Sequence, residues 1–158
     1  MRKIHTILIF VILSSKIFSQ SGGDHVYEFL NLTSSARIAS LGGQQISIYD
    51  DDLNSVYYNP SLLNPSMTKY LAANYVNYFT DINFGYASYS YSLKKYGMIG
   101  AGIHFIDYGK FTEADKYGNR YGQFKASEYS FNAYYSYPII DSMLQVGGTL
   151  KAISSQLE

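Results

Sequence analysis

The chain has 158 residues, with twelve Lys and Arg against twelve Asp and Glu, so it carries no formal net charge and no electrostatic footprint for nucleic acid. It has no Cys, which excludes a disulfide framework, an acylated lipoprotein terminus and a Cys-based zinc site. Its 18 Tyr and nine Phe, beside no Trp and three Pro, suit a large β-surface or a membrane boundary, where a Tyr ring has one apolar end and one wet end.

Residues 1–19 read as a signal peptide. Arg2 and Lys3 precede the apolar run Ile7 to Leu13, and Ser19 is small enough to sit before the cut, leaving Gln20 as the mature N-terminus. The run is too short to span a bilayer, which takes about 20 apolar residues. Export follows, and with it passage out of the cytoplasm.

Residues 20–66 carry turn and cap residues but no sustained period. Ala36, Ala39 and Ser40 around Arg37 predict a short helix ended by Gly42-Gly43. Gln45 to Tyr49 is a candidate short strand. The acidic run Asp50-Asp51-Asp52 does not have the alternating ligands of an EF-hand, and a turn or helix cap is the favoured reading over calcium binding. Pro60 holds Asn59 extended. Such a segment packs against something else.

From residue 70 the period becomes 2, and residues 67–158 read as the first part of a barrel. Strands are predicted at Tyr70–Tyr78, Ile82–Leu93, Met98–Asp107, Ala126–Tyr137 and Met143–Ile153. Between them lie short turns at 94–97 and 138–142 and a long polar loop at 108–124. Strands of about 10 residues match the 9–11 that cross a membrane on a tilt and exceed the usual 5–6 of globular sheets. One face is aliphatic and aromatic; the other holds Glu128, Asn132, Gln145 and Lys151. That fits a lipid-facing exterior and a polar lumen, although a half-exposed soluble sheet alternates in the same way. Barrels of this kind alternate short periplasmic turns with longer outer loops, which places 94–97 and 138–142 in the periplasm. Residues 20–66 then begin on the periplasmic side and fold into the lumen as a plug. The strand pattern runs to the last residues, so the sequence reads as the opening part of a longer barrel.

No constellation supports an enzyme. His5, His25 and His104 have no ligand spacing, and His104 reads as a lumen residue. Ser66-Met67-Thr68-Lys69 and Ser92-Leu93-Lys94-Lys95 match S-x-x-K, but they flank strands instead of opening a buried helix. Asn31-Leu32-Thr33 is an uninformative sequon. No cofactor or metal is expected.

Three stretches carry a resemblance: Gly23 to Leu30, Ser34 to Gly43, and Asp50 to Ser61. Together they resemble the PorV/PorQ family of Bacteroidetes outer-membrane proteins, and its PorQ branch above all. The resemblance implies a barrel like the FadL fatty-acid transporter, fourteen-stranded in the complete family, with an N-terminal plug. Arg37, Gly42 and Gly43, then Asp50, then Asn59 and Pro60 match the family's plug signatures, with Ser61 where the family has Ala. It further implies a non-enzymatic place in type IX secretion, alongside PorV-like, PorU and PorZ components. There, cargo is attached to lipopolysaccharide at the cell surface, and this chain's role would be to anchor a PorZ-like partner. A FadL-like channel for hydrophobic compounds is the alternative.

Overall fold

The computed structural model describes residues 27–115, 117, 120–140 and 144–157. The signal, its cut site, His5, His25 and the turn at 141–142 lie outside the described residues. The resemblance at Gly23 to Leu30 lies partly outside them.

Five strands form one open antiparallel sheet in the order β1-β2-β3-β4-β5. They are β1 (Leu71–Asn77), β2 (Asn83–Ser92), β3 (Met98–Ala114), β4 (Arg120–Ile140) and β5 (Leu144–Leu157). Each is paired to the next in sequence, as short connections between alternating segments dictate. β1 and β2 fall within a residue of their predicted bounds.

β3 and β4 do not stop where their alternation fades. The stretch expected as a loop at 108–124 continues both strands as a two-stranded ribbon past the sheet, pairing Lys110 with Lys125 and Thr112 with Gln123. Exposure on both faces removes the apolar alternation, so the ribbon's sequence resembles a loop. β4 also runs through Pro138 to Ile140, with an irregularity there that accommodates a residue lacking an N–H.

The segment before β1 lies across one face of the sheet. Its pieces are a 3-10 turn Glu28–Asn31, helix α1 (Ala36–Ser40), and 3-10 turns Leu53–Tyr57, Pro60–Leu62 and Pro65–Met67. Gln45 to Tyr49 forms no strand and bends at Ile46 and Ser47; it faces the ends of β4 and β5 across a pocket but pairs with neither. Phe29 packs with Phe84 and Ile106 near the end of the sheet that carries the 78–82 connection. Leu63 and Met67 pack with Met98 and Tyr134 near the 94–97 end. The described part of the segment therefore starts at the far end and descends to the short turns, where β1 begins. Each fully buried apolar side chain here contributes about 1.5–3 kcal/mol.

Burial sorts the sheet by parity. On β2 to β4 the even-numbered residues are covered: Phe84, Tyr86, Ser88, Ser90, Met98, Gly102, His104, Ile106, Ser130, Asn132, Tyr134 and Ser136. Most odd-numbered ones are exposed, the large ones being Tyr89, Tyr91, Ile99, Ile103, Tyr129, Phe131, Tyr135 and Tyr137, with Gly85 the buried exception. On the flanking strands Leu71 is 74% exposed and Leu150 76%, while Ser90, Ser130 and Ser136 are at 0%. A soluble half-buried sheet has the opposite distribution.

Candidate functional site

The candidate site is the seam between residues 27–69 and the covered face of the sheet. It is assembled from capped turns. Ser35 caps α1 by accepting from the Ile38 N–H at 3.4 Å. At its other end Gly43 N–H donates to Ile38 O and Gly42 N–H to Ala39 O, and Gly42 takes φ 102°. That left-handed position is why glycine stands there.

Arg37 leaves α1 to bind both ends of the acidic run. Its two terminal nitrogens donate to Asp50 Oδ2 at 2.5 Å and Asp52 Oδ2 at 2.8 Å. Asp52 Oδ1 also accepts from Asn54 N–H at 3.0 Å, capping the next turn. These hydrogen bonds raise the Arg37 guanidinium further above its ordinary range. The same guanidinium holds the Asp50 carboxyl below the usual carboxylate range. The acidic run is thus a clamp and a cap. Among the described residues, no cluster of three metal-ligating side chains is present.

Two Asn-Pro-Ser sequences five residues apart repeat one device. Asn59 Oδ1 accepts from Ser61 N–H, and Asn64 Oδ1 accepts from Ser66 N–H; each Pro occupies the first helical position. Each amide nitrogen then ties the turn to distant backbone, Asn59 to Ile46 O and Asn64 to Asp50 O, both at 2.7 Å.

Polar contacts join the two apolar clusters in the seam to the sheet. Gln145 Nε2 donates to Leu63 O at 2.6 Å and to Ser136 Oγ at 2.5 Å. Ser90 Oγ donates to Met67 O, and Ser92 N–H donates to Thr68 Oγ1 at 2.9 Å. Asn74 Nδ2 donates to Asn54 Oδ1 at 2.5 Å. Gly147 lets the backbone of Pro60 and Ser61 lie directly on β5, where a β-carbon would overlap it.

At the centre, Tyr57 reaches the sheet. Its hydroxyl donates to Leu30 O at 2.8 Å and stands 3.3 Å from His104 Nδ1. With its proton committed to Leu30, the hydroxyl accepts from Nδ1–H, which assigns the neutral ring's other nitrogen, Nε2, as an acceptor. Tyr86 and Tyr134 share a hydroxyl hydrogen bond of 2.9 Å beside it, and Gly102 leaves room for the Tyr86 ring. Lys151 Nζ sits 4.3 Å from the Tyr57 ring centroid. Burial pushes the Tyr57 hydroxyl well above the ordinary tyrosine range. A cavity of about 10 Å³ beside this cluster holds no more than one water. Nearer the 78–82 end, Phe29, Leu32, Tyr78, Phe84, Ile106 and Tyr108 line an apolar groove of about 280 Å³.

The six residues singled out from the sequence all lie in the covering segment. Arg37 and Asp50 touch; Gly42 and Gly43 end the helix that carries Arg37; Asn59 and Pro60 form a separate cap. Sequence reading did not find the second Asn-Pro-Ser turn, although the repeat was there to see. Nor did it find the pairing of Tyr57 with His104, which no local spacing signals across 47 positions.

Comparison with known protein families, with curated proteins and with solved structures finds no match.

Proposed function

We propose that this chain is the opening wall and plug of an outer-membrane β-barrel. The observation that supports it most is the sheet's distribution: its buried Ser, Asn and His share the covered face with Phe84, Tyr86, Met98, Ile106 and Tyr134, while the other face exposes a continuous set of aromatic and aliphatic side chains. Water penalises that arrangement and hydrocarbon favours it. The order of side chains on the exposed face supports the same reading. Tyr75, Phe105 and Tyr129 form one aromatic row, and Tyr91, Tyr135 and Tyr137 form another. Between them stand Ala73, Ala87, Ala101, Ala133, Ile103 and Phe131. Eight residues separate Tyr129 from Tyr137, about 27 Å of strand and about 21 Å of height at a 40° tilt, close to the roughly 25 Å apolar band of such barrels. In this reading residues 27–69 are the plug, and further strands pair the free edges of β1 and β5, since lipid tolerates no open edge.

The wider role proposed is a non-enzymatic outer-membrane part of type IX secretion and surface attachment, acting as anchor for a PorZ-like partner. It rests on the resemblance at residues 23–61, whose Arg37, Asp50 and Asn59 hold the covering segment together. Heat-modifiable migration of the refolded full-length protein tests the barrel, and an unshifted band counts against it. Deleting the full-length gene tests the role: cargo should be released instead of attached to lipopolysaccharide, and normal attachment would sink it.

The apolar groove beside Phe29 favours a second reading, a FadL-like channel for hydrophobic compounds. Uptake of a labelled fatty acid that survives deletion unchanged would exclude it.

A further inference from the structure

We propose that Lys110 and Lys125 form a two-pronged site for the phosphorylated headgroup of an outer-leaflet lipid. The two lysines are direct cross-strand partners on the β3–β4 ribbon. Partners in an antiparallel pair share a face with β-carbons about 4.5–5.5 Å apart, and like charges placed so are destabilising. Neither has an ion-pair partner among the described residues. A dianionic phosphoryl group between them turns the repulsion into attraction.

The register that brings them together is built. Up to Asp107 and Ser127 the two strands pair regularly; between Asp107 and Lys110 the pairing shifts by one residue. The extra residue lies on β3, where Tyr108 and Gly109 oppose Ala126 alone. Gly109 takes φ 75°. A side chain at that angle is strained, and its β-carbon would also meet Asp81. Without the bulge Lys110 would oppose Phe124 and point to the covered side with His104 and Ile106. With it, Lys110 joins Lys125 on the outward face, while Phe111 stacks on Phe124 behind them at 5.1 Å. Bulges re-aim side chains in this way.

Height gives the ligand class. Reading up the outward face, Phe105 and Tyr129 are the last aromatic pair, Asp107 and Ser127 follow, then the lysines. Lys125 stands four residues past Tyr129, about 13 Å further along the strand. This is where the apolar band gives way to headgroups. Two acids lie near the pair: Asp107, whose Oδ1 accepts from the Gly109 N–H at 2.8 Å, and Asp81, which packs against Gly109. The inference rests on the membrane reading above.

The test uses the full-length protein reconstituted in phosphatidylcholine vesicles doped with bisphosphorylated lipid A or its dephosphorylated form. Lipid retained after detergent extraction is counted by native mass spectrometry. The wild type should retain the phosphorylated lipid about tenfold or more over the other. Lys110→Gln with Lys125→Gln should abolish the preference, and the double Arg variant should keep it. Millimolar inorganic phosphate should leave it unchanged. A double Gln variant that inserts and keeps the preference overturns the inference alone, as does full competition by free phosphate. Protein that never inserts overturns the membrane reading and this inference with it.

Discussion

Gly147 on β5 lies against the Ser61 backbone with no space for a β-carbon, whereas its neighbour Gly148 faces open space. The covering segment therefore seats on the sheet through main chain at this point. Gly147→Ala should lift Pro60–Leu62 and cost about 1–3 kcal/mol, as overpacking does. Amide exchange across residues 53–67 should quicken roughly tenfold or more, with Gly148→Ala as the silent control. Equal exchange in both variants would contradict the seating.

The Arg37 clamp predicts a pH dependence. Asp50 has a lowered folded pKa, so its contribution is present above the unfolded value of about 3.9 and is lost as pH falls through the folded value. Protease cleavage between residues 44 and 52 should accelerate below about pH 4 in the wild type. Arg37→Ala should be cleaved faster at neutral pH and show a shallower acid response. An acid response of unchanged depth in the variant would remove Arg37 as the cause.

Tyr57→Phe keeps the ring under Lys151 but deletes the hydroxyl. Leu30 O then loses its donor and His104 Nδ1 its acceptor. The expected cost is about 1–2 kcal/mol, read as a lower urea midpoint for release of the covering segment. Tyr58→Phe, which loses a single 3.1 Å bond to Thr33 Oγ1, should cost less. The reverse order would argue against a Tyr57-centred seam.

The two Asn-Pro-Ser turns differ in burial. Asn64 is 3% exposed and its amide serves both Asp50 O and Leu62 O, whereas Asn59 is half-buried. Asn64→Ala should therefore destabilise more than Asn59→Ala, by more than the roughly 1 kcal/mol of a lost cap. Thermal denaturation of the two variants measures the order.

What the sequence discloses here follows the range of each interaction. Alternation sorts Tyr129, Phe131 and Tyr135 from Ser130, Asn132 and Tyr134 because neighbours along a strand face opposite ways. Gly42-Gly43 marks the end of α1 because its capping bonds are local. Alternation fails at 108–124, where a ribbon wetted on both sides has no face to encode. There Gly109 reads as a loop signal, although it serves as the bulge that sets a register. The pairings of Arg37 with Asp50 and of Gln145 with Leu63 depend on how the covering segment lies on the sheet, which no single-residue preference specifies. Gln45 to Tyr49 has strand-like composition but pairs with no strand among the described residues.

The central claim is that the exposed face of this sheet meets lipid. These 158 residues hold no Cys, so single Cys substitutions along β4 are the only labelling sites among them, in a background freed of any Cys elsewhere. Spin labels at positions 129, 131, 133 and 135, compared with 130 and 132, in the full-length protein in vesicles give the most direct reading. Collision with oxygen should exceed collision with a water-soluble nickel chelate at the four odd positions and at neither even one. Odd positions that collide more with the chelate than with oxygen would contradict the account.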